Sequence, residues 1–375
     1  MNGLRETKVI GGRQAEKEAA VRRSLRSLAG TILLLVCIEY AGCSKNPVAP
    51  AAPVFISDWT QCQGMPTLSS GFARSGNNLV AGTDNALLSQ AYIFISSDGG
   101  LNWSLDATFH TLNHDTSTAP GPQPGPLFTD TPVTFLDDGP YLFAGIGGEM
   151  YGGNNVYVST DNGITWVERD TSFIVNVNCF AAVGGIIFAG TGGGVFLSTD
   201  YGTSWSSANT GMLSRGTGYG YTVSGVASVA TNIFVCTEGS GIFRSTNIGA
   251  SWVKVYNTDL DFQSLAKIGS SVFAGFAGGD PNGGVLRSID NGASWALLNL
   301  GAKAYSVNGL CAYNSNLFAA TNIGLFVSTD MGASWTYASA GTPIDSSEAG
   351  ALIVYNSYLL VSTSRGLWRG LLSTQ

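Results

Sequence analysis

Charge is scarce in this chain. Only 11% of its 375 residues are Asp, Glu, Lys or Arg, and histidine occurs twice. Residues 1–42 take seven of the 18 basic and four of the 25 acidic side chains, which leaves 11 and 21, a net charge of −10 beyond residue 42. An acidic, Lys-poor chain does not fit nucleic acid, whose binding depends on neutralising phosphates. Long apolar runs are missing too. The run at 28–38 has eleven residues, too few for a stable membrane-spanning helix. The six cysteines, at 37, 43, 62, 179, 236 and 311, contain no C-x-x-C and no regular spacing. That pattern signals neither a zinc site nor a disulfide framework. Cys179, Cys236 and Cys311 sit in apolar runs and read as buried thiols, while a bridge from Cys62 stays open.

What the chain has in abundance is glycine, 50 residues, beside 44% hydrophobic content. Many tight turns and a large core suit an all-β repeat protein. One stretch organises the rest: STDNGITW at 159–166 has five near copies, SSDGGLNW (96–103), STDYGTSW (198–205), STNIGASW (245–252), SIDNGASW (288–295) and STDMGASW (328–335). Repeats at intervals of 20–50 residues indicate a solenoid or a propeller. A short apolar run precedes each copy and Trp opens another, so each reads as a hairpin. The Asp accepts backbone hydrogen bonds within the turn, Gly supplies a positive φ, and Trp plugs the space between sheets. Asp98, Asp161, Asp200, Asp290 and Asp330, with Asn247 in the fourth copy, are therefore structural staples rather than metal or sugar ligands.

The motif S-x-D-x-G-x-[S/T/N]-W resembles the Asp-box of sialidase-type β-propellers and of bacterial surface propellers similar to photosystem II assembly factors. The resemblance covers residues 54–375 and implies their fold. It does not extend to sialidase catalysis, which requires a central arginine triad and an Arg-Ile-Pro element. Arg-Ile-Pro is absent, and Arg244, Arg287 and Arg369 fall in third runs, away from the inner strands.

From Val54 the chain divides into units of four short runs, A to D. Seven B runs can be counted, but the last unit stops before its D run, and 54–60 supplies a spare. One Trp falls in each D run: Trp59, Trp103, Trp166, Trp205, Trp252, Trp295 and Trp335. The expected fold is an all-β, seven-bladed β-propeller of four-stranded antiparallel blades in which the N-terminal strand completes the last blade.

Upstream, clustered Arg22, Arg23 and Arg26, the short apolar run and Ala41-Gly42-Cys43 define an export signal over residues 1–42. Ala-Gly-Cys resembles a bacterial lipobox, which implies lipidation at Cys43 and a membrane-anchored lipoprotein at the cell envelope; the alternative is an ordinary secretory leader. Residues 43–53 form a Pro/Ala spacer.

The A–B turns are tight and the C–D turns are the Asp-boxes, so long connections collect on the B–C/D–A face, where loops on a rigid scaffold carry function. Glu149, Tyr151, Tyr219, Tyr221, Phe276 and Asp280 are the candidate ligand-binding residues there. The pair His110 and His114, with Asp115, lies in a Pro/Gly-rich insertion and reads as solvated loop, so no metal and no cofactor is expected. The leading expectation is a monomeric, non-enzymatic binding or scaffold module for a protein or glycan, with no catalytic residue assigned. The alternatives are a glycoside hydrolase using loop acids such as Asp84, Glu149, Glu238 and Asp280, and an assembly factor for a membrane complex.

Overall fold

The computed structural model describes residues 54–65, 69–85, 90–106, 133–146, 156–169, 176–212, 221–278, 283–301 and 304–374. The export signal, the spacer, Cys43 and the His110/His114 insertion lie outside these residues. Among the described residues every regular element is a strand, and seven four-stranded antiparallel sheets form a seven-bladed propeller.

Each blade uses its strands differently, and the sequence pattern shows why. B strands such as Ile186–Thr191 and Asn316–Thr321 are buried along nearly their whole length. They are covered by neighbouring blades on both faces, hence their continuous apolar runs. A strands alternate, as in Val223–Val229, because one face packs and the other meets the central channel. D strands shrink to two residues at Ser206–Ser207 and Thr336–Tyr337, which leaves little open edge on the circumference.

The core is divided among seven clusters, one at each joint between blades. Each holds one D-strand tryptophan: Trp166 joins blades 1 and 2, and Trp205, Trp252, Trp295, Trp335, Trp59 and Trp103 follow round the ring. The last blade orders its strands with Val54–Gln61 outside Gly366–Thr374. Val54 pairs with Thr374 and Gln61 with Trp368, and a bulge at Asp58 (φ 51°) and Trp59 lays the indole over Gly370. The ring is therefore closed by hydrogen bonds between its two ends.

The Asp-box turns share one geometry. Ser159 Oγ donates to Asp161 Oδ1 at 2.8 Å and accepts the Gly163 N–H at 2.9 Å, while the Thr165 N–H reaches the same carboxylate oxygen at 2.8 Å. Asp98, Asp200, Asp290 and Asp330 accept the corresponding bonds. Asn247 repeats them through Oδ1 and turns its Nδ2 donor to Ser251 Oγ at 2.9 Å. Burial opposes ionisation of Asp98, but hydrogen bonds led by the Asn102 N–H outweigh it and hold the carboxyl down at about 2.

Two features of these turns go beyond local chemistry. The residue before the box glycine is left-handed even where it is large: Tyr201 (φ 54°), Ile248 (φ 56°) and Met331 (φ 59°). The glycine itself touches the preceding blade. A Cβ on Gly292 would lie 2.7 Å from Phe234, and one on Gly100 2.4 Å from Leu360. Glycine is thus required both by backbone sign and by the closeness of the next sheet.

Arginines on C strands fasten the same joints. Arg287 Nη1 donates to Met331 O at 2.9 Å, Arg369 Nη1 to Gly99 O at 3.1 Å, and Arg244 Nη1 to Asn291 O. In each case the acceptor is the Asp-box backbone of the following blade.

Candidate functional site

A concave feature among the described residues is the mouth of the central channel on the B–C/D–A face. Six A strands carry a bulge near their first residues, between Ser69/Gly71, Val177/Cys179, Val223/Gly225, Phe262/Ser264, Val307/Gly309 and Ala349/Leu352. A bulge inserts one unpaired residue and re-aims its side chain. Three of these residues reach the next blade: Asn178 Nδ2 donates to Val223 O at 3.0 Å, Asn308 Nδ2 to Ala349 O at 2.9 Å, and Ser224 Oγ to Phe262 O. They form a polar girdle that holds the inner strands in register across blade joints.

Between the girdle and Glu348 lies a cavity of about 450 Å³, lined by Ser69, Ser70, Ser264, Asn308, Leu310 and Leu352 among others. Glu348 is the single ionisable side chain of that lining. The cavity therefore offers hydrogen-bonding and small apolar surface, and a single carboxylate.

An acid pair, Glu238 and Asp261, stands on the same face. Glu238 sits in a tight B–C turn whose N–H donates to Thr222 O at 3.1 Å. Asp261 Oδ1 lies 3.7 Å from where a Cβ on Gly239 would be. Partial desolvation pushes the Glu238 carboxyl above its usual range, and Asp261 adds to the shift. Among the described residues no three His, Cys, Asp or Glu converge as a metal-binding group.

Residues 157–168, the second copy of the motif with its flanking strands, match the BNR/Asp-box repeat profile. The repeats are Asp-boxes. Comparison with curated protein sequences gives no match. Solved structures share the fold at low identity. YCF48 bound to D1 peptide aligns over 88% of this chain and 100% of that chain, with TM-score 0.59 and 15% identity. YCF48 from Cyanidioschyzon merolae gives 0.61 and 13%, covering 84% of this chain and 99% of its own. The GH74 xyloglucanase from Xanthomonas campestris gives 0.56 and 18%, with 84% of this chain matching 53% of the enzyme.

Placed on this Asp-box propeller, the candidates from sequence divide into three groups. Phe276 is corrected: it lies inside strand Ser271–Ala277, 4% exposed and 5.8 Å edge-on to Phe262, so it is core and touches no ligand. Its place at the end of a B run made it look like loop, but that strand extends further than its neighbours. Tyr221 is half-buried, its ring 5.4 Å from Phe243 with Lys254 Nζ 5.4 Å from its centroid; it is held down rather than offered as a platform. Glu149, Tyr151, Tyr219 and Asp280 lie outside the described residues. Among the loop acids, Asp84 belongs to strand Asn78–Asn85 rather than to a loop.

Tyr305 was missed. It is 53% exposed just before the A strand of blade 6 on the candidate face, and Asn322 Oδ1 accepts its N–H at 2.9 Å. No motif or pattern in the sequence marks it. Cys62, Cys179, Cys236 and Cys311 are free thiols. Burial pushes Cys62 and Cys236 up to about 12 and Cys311 to about 11.

Proposed function

We propose that the chain is an exported binding module, anchored at a bacterial envelope through Cys43, that holds an extended segment of a protein partner across the channel mouth. The observation that carries this reading is the lining of the mouth. It presents serines, Asn308, the apolar Phe72, Leu310 and Leu352 and a single carboxylate, with Tyr305 exposed on the same face. Such a surface suits hydrogen bonding to a peptide backbone and contact with its side chains. YCF48 bound to D1 peptide supports the reading by analogy, as a propeller of this fold that holds a peptide. Glycan binding, and hydrolysis of the kind carried out by a GH74 enzyme, is the competing function.

The test is to probe a peptide array and a glycan array with the full chain, then repeat with Tyr305→Ala and Asn308→Ala. Peptide capture weakened about tenfold or more by Tyr305→Ala supports the proposal. Capture confined to glycans, or peptide capture indifferent to both substitutions, rejects it.

A further inference from the structure

The chain enters the ring on a definite side. Val54 pairs with Thr374, the far end of the last C strand from the B–C turn at Thr363–Gly366, so the first residue of the propeller lies on the Asp-box face. The groove beside it confirms the side, since Val54, Phe55 and Ile56 face Thr329 and Ser334 of the sixth Asp-box. Ten residues lie between Cys43 and Val54, so the eleven Cα–Cα steps reach at most about 40 Å.

The same face carries apolar side chains that the fold does not bury. Ile164, Ile248 and Ile289 project from three Asp-boxes at 56%, 45% and 64% exposure. Val167, Val253 and Leu297 continue the surface at the starts of the adjacent D strands, each more than half exposed. Apolar side chains left exposed on three turns of one face point to a contact surface. Ile248 adds an independent sign. It is β-branched and stands at φ 56°, where the second and fifth boxes place Asn162 and Asn291. The backbone is strained by that choice.

We infer that the Asp-box face is the lipid-facing side of the molecule, resting on a bilayer through this isoleucine and valine rim and turning the channel mouth away from it. The tether argument rests on the anchor proposed above; the rim does not. Asp161, Asp200 and Asp290 stand among the apolar side chains and are held ionised by their hydrogen bonds, so the surface that fits is zwitterionic rather than anionic. Together the tether and the rim present the binding face to partners in the surrounding compartment.

Reporter cysteines test the orientation, because Cys62 and Cys236 are buried and desolvation keeps the half-buried Cys179 and Cys311 thiols protonated. Ala293→Cys places a fluorophore in the fifth Asp-box and Ser364→Cys in a B–C turn of the opposite face. The full chain, recovered from membranes and reconstituted in phosphatidylcholine vesicles with a headgroup-linked quencher, is expected to show at least threefold stronger quenching at 293 than at 364. Ile248→Asn with Ile289→Thr is expected to reduce that difference, and anionic vesicles to reduce it further. Equal quenching, or stronger quenching at 364, overturns the inference. A chain recovered free of membranes removes the anchor, and vesicles added to it after Cys37→Ser and Cys43→Ser still decide the face: asymmetry at 293 upholds the rim, and no association overturns it.

Discussion

Replacing Gly292 by alanine tests whether the Asp-box glycine is a turn residue alone or also a joint between blades. Gly292 has φ 80°, and its added Cβ would lie 2.7 Å from the Phe234 ring of the preceding blade. Gly269, in the A–B turn of the same blade, has φ 58° and open space at the Cβ position. Both substitutions force alanine into a left-handed backbone, which costs about 1–2 kcal/mol. Each regains about 0.4–1 kcal/mol from the stiffer unfolded chain. Gly269→Ala should therefore lose about 1 kcal/mol. Gly292→Ala carries in addition the displacement of a fully buried ring, about 1–3 kcal/mol for overpacking, for a total of about 2–4 kcal/mol. Urea unfolding of the two variants supplies the comparison. Phe234→Leu combined with Gly292→Ala should recover part of the second loss, since neighbours that share a clash are not additive. If Gly292→Ala costs no more than Gly269→Ala, the inter-blade role is wrong and only the turn needs glycine.

Three further outcomes are expected. The five box carboxyls are held below their usual range, Asp98 at about 2, so their contribution is complete above about pH 4 and is lost as pH falls toward 2; melting followed by circular dichroism across that window should show the decline, and Asp98→Asn should flatten it. Removing residues 54–61 deletes the outer strand of the last blade and exposes Trp368 and Gly370, and analytical ultracentrifugation with tryptophan emission should report loss of cooperative unfolding or association through the open edge. A thiol reagent should leave Cys62 and Cys236 unmodified in the native protein, because burial removes both access and thiolate, should modify half-buried Cys179 and Cys311 slowly because their pKa values are raised, and should modify all four rapidly in denaturant.

Much of the fold was legible because the repeat carries its physics within eight residues. Serine, Asp, Gly and Trp at fixed spacing specify a turn and a plug, and counting the plugs specifies seven joints and the strand exchange that closes them. The candidate site was far less legible. Phe276 and Tyr221 look alike in sequence as aromatics near loops, yet one is core and the other is pinned by Phe243 and Lys254. Tyr305 carries no pattern at all, and its exposure is a property of the assembled fold.

Local order therefore came from the chain's own chemistry: which segments become strands, which residues turn them, and that one tryptophan serves each blade, since short-range hydrogen bonds and period-two burial decide these matters. Tertiary structure alone decided what those residues meet. The contact of Gly292 with Phe234, the reach of Arg287 to the next turn, the girdle of Asn178, Ser224 and Asn308, and the side on which Val54 enters all depend on bringing together strands 30 or more residues apart. Curvature of the ring sets those meetings, and no local spacing encodes it.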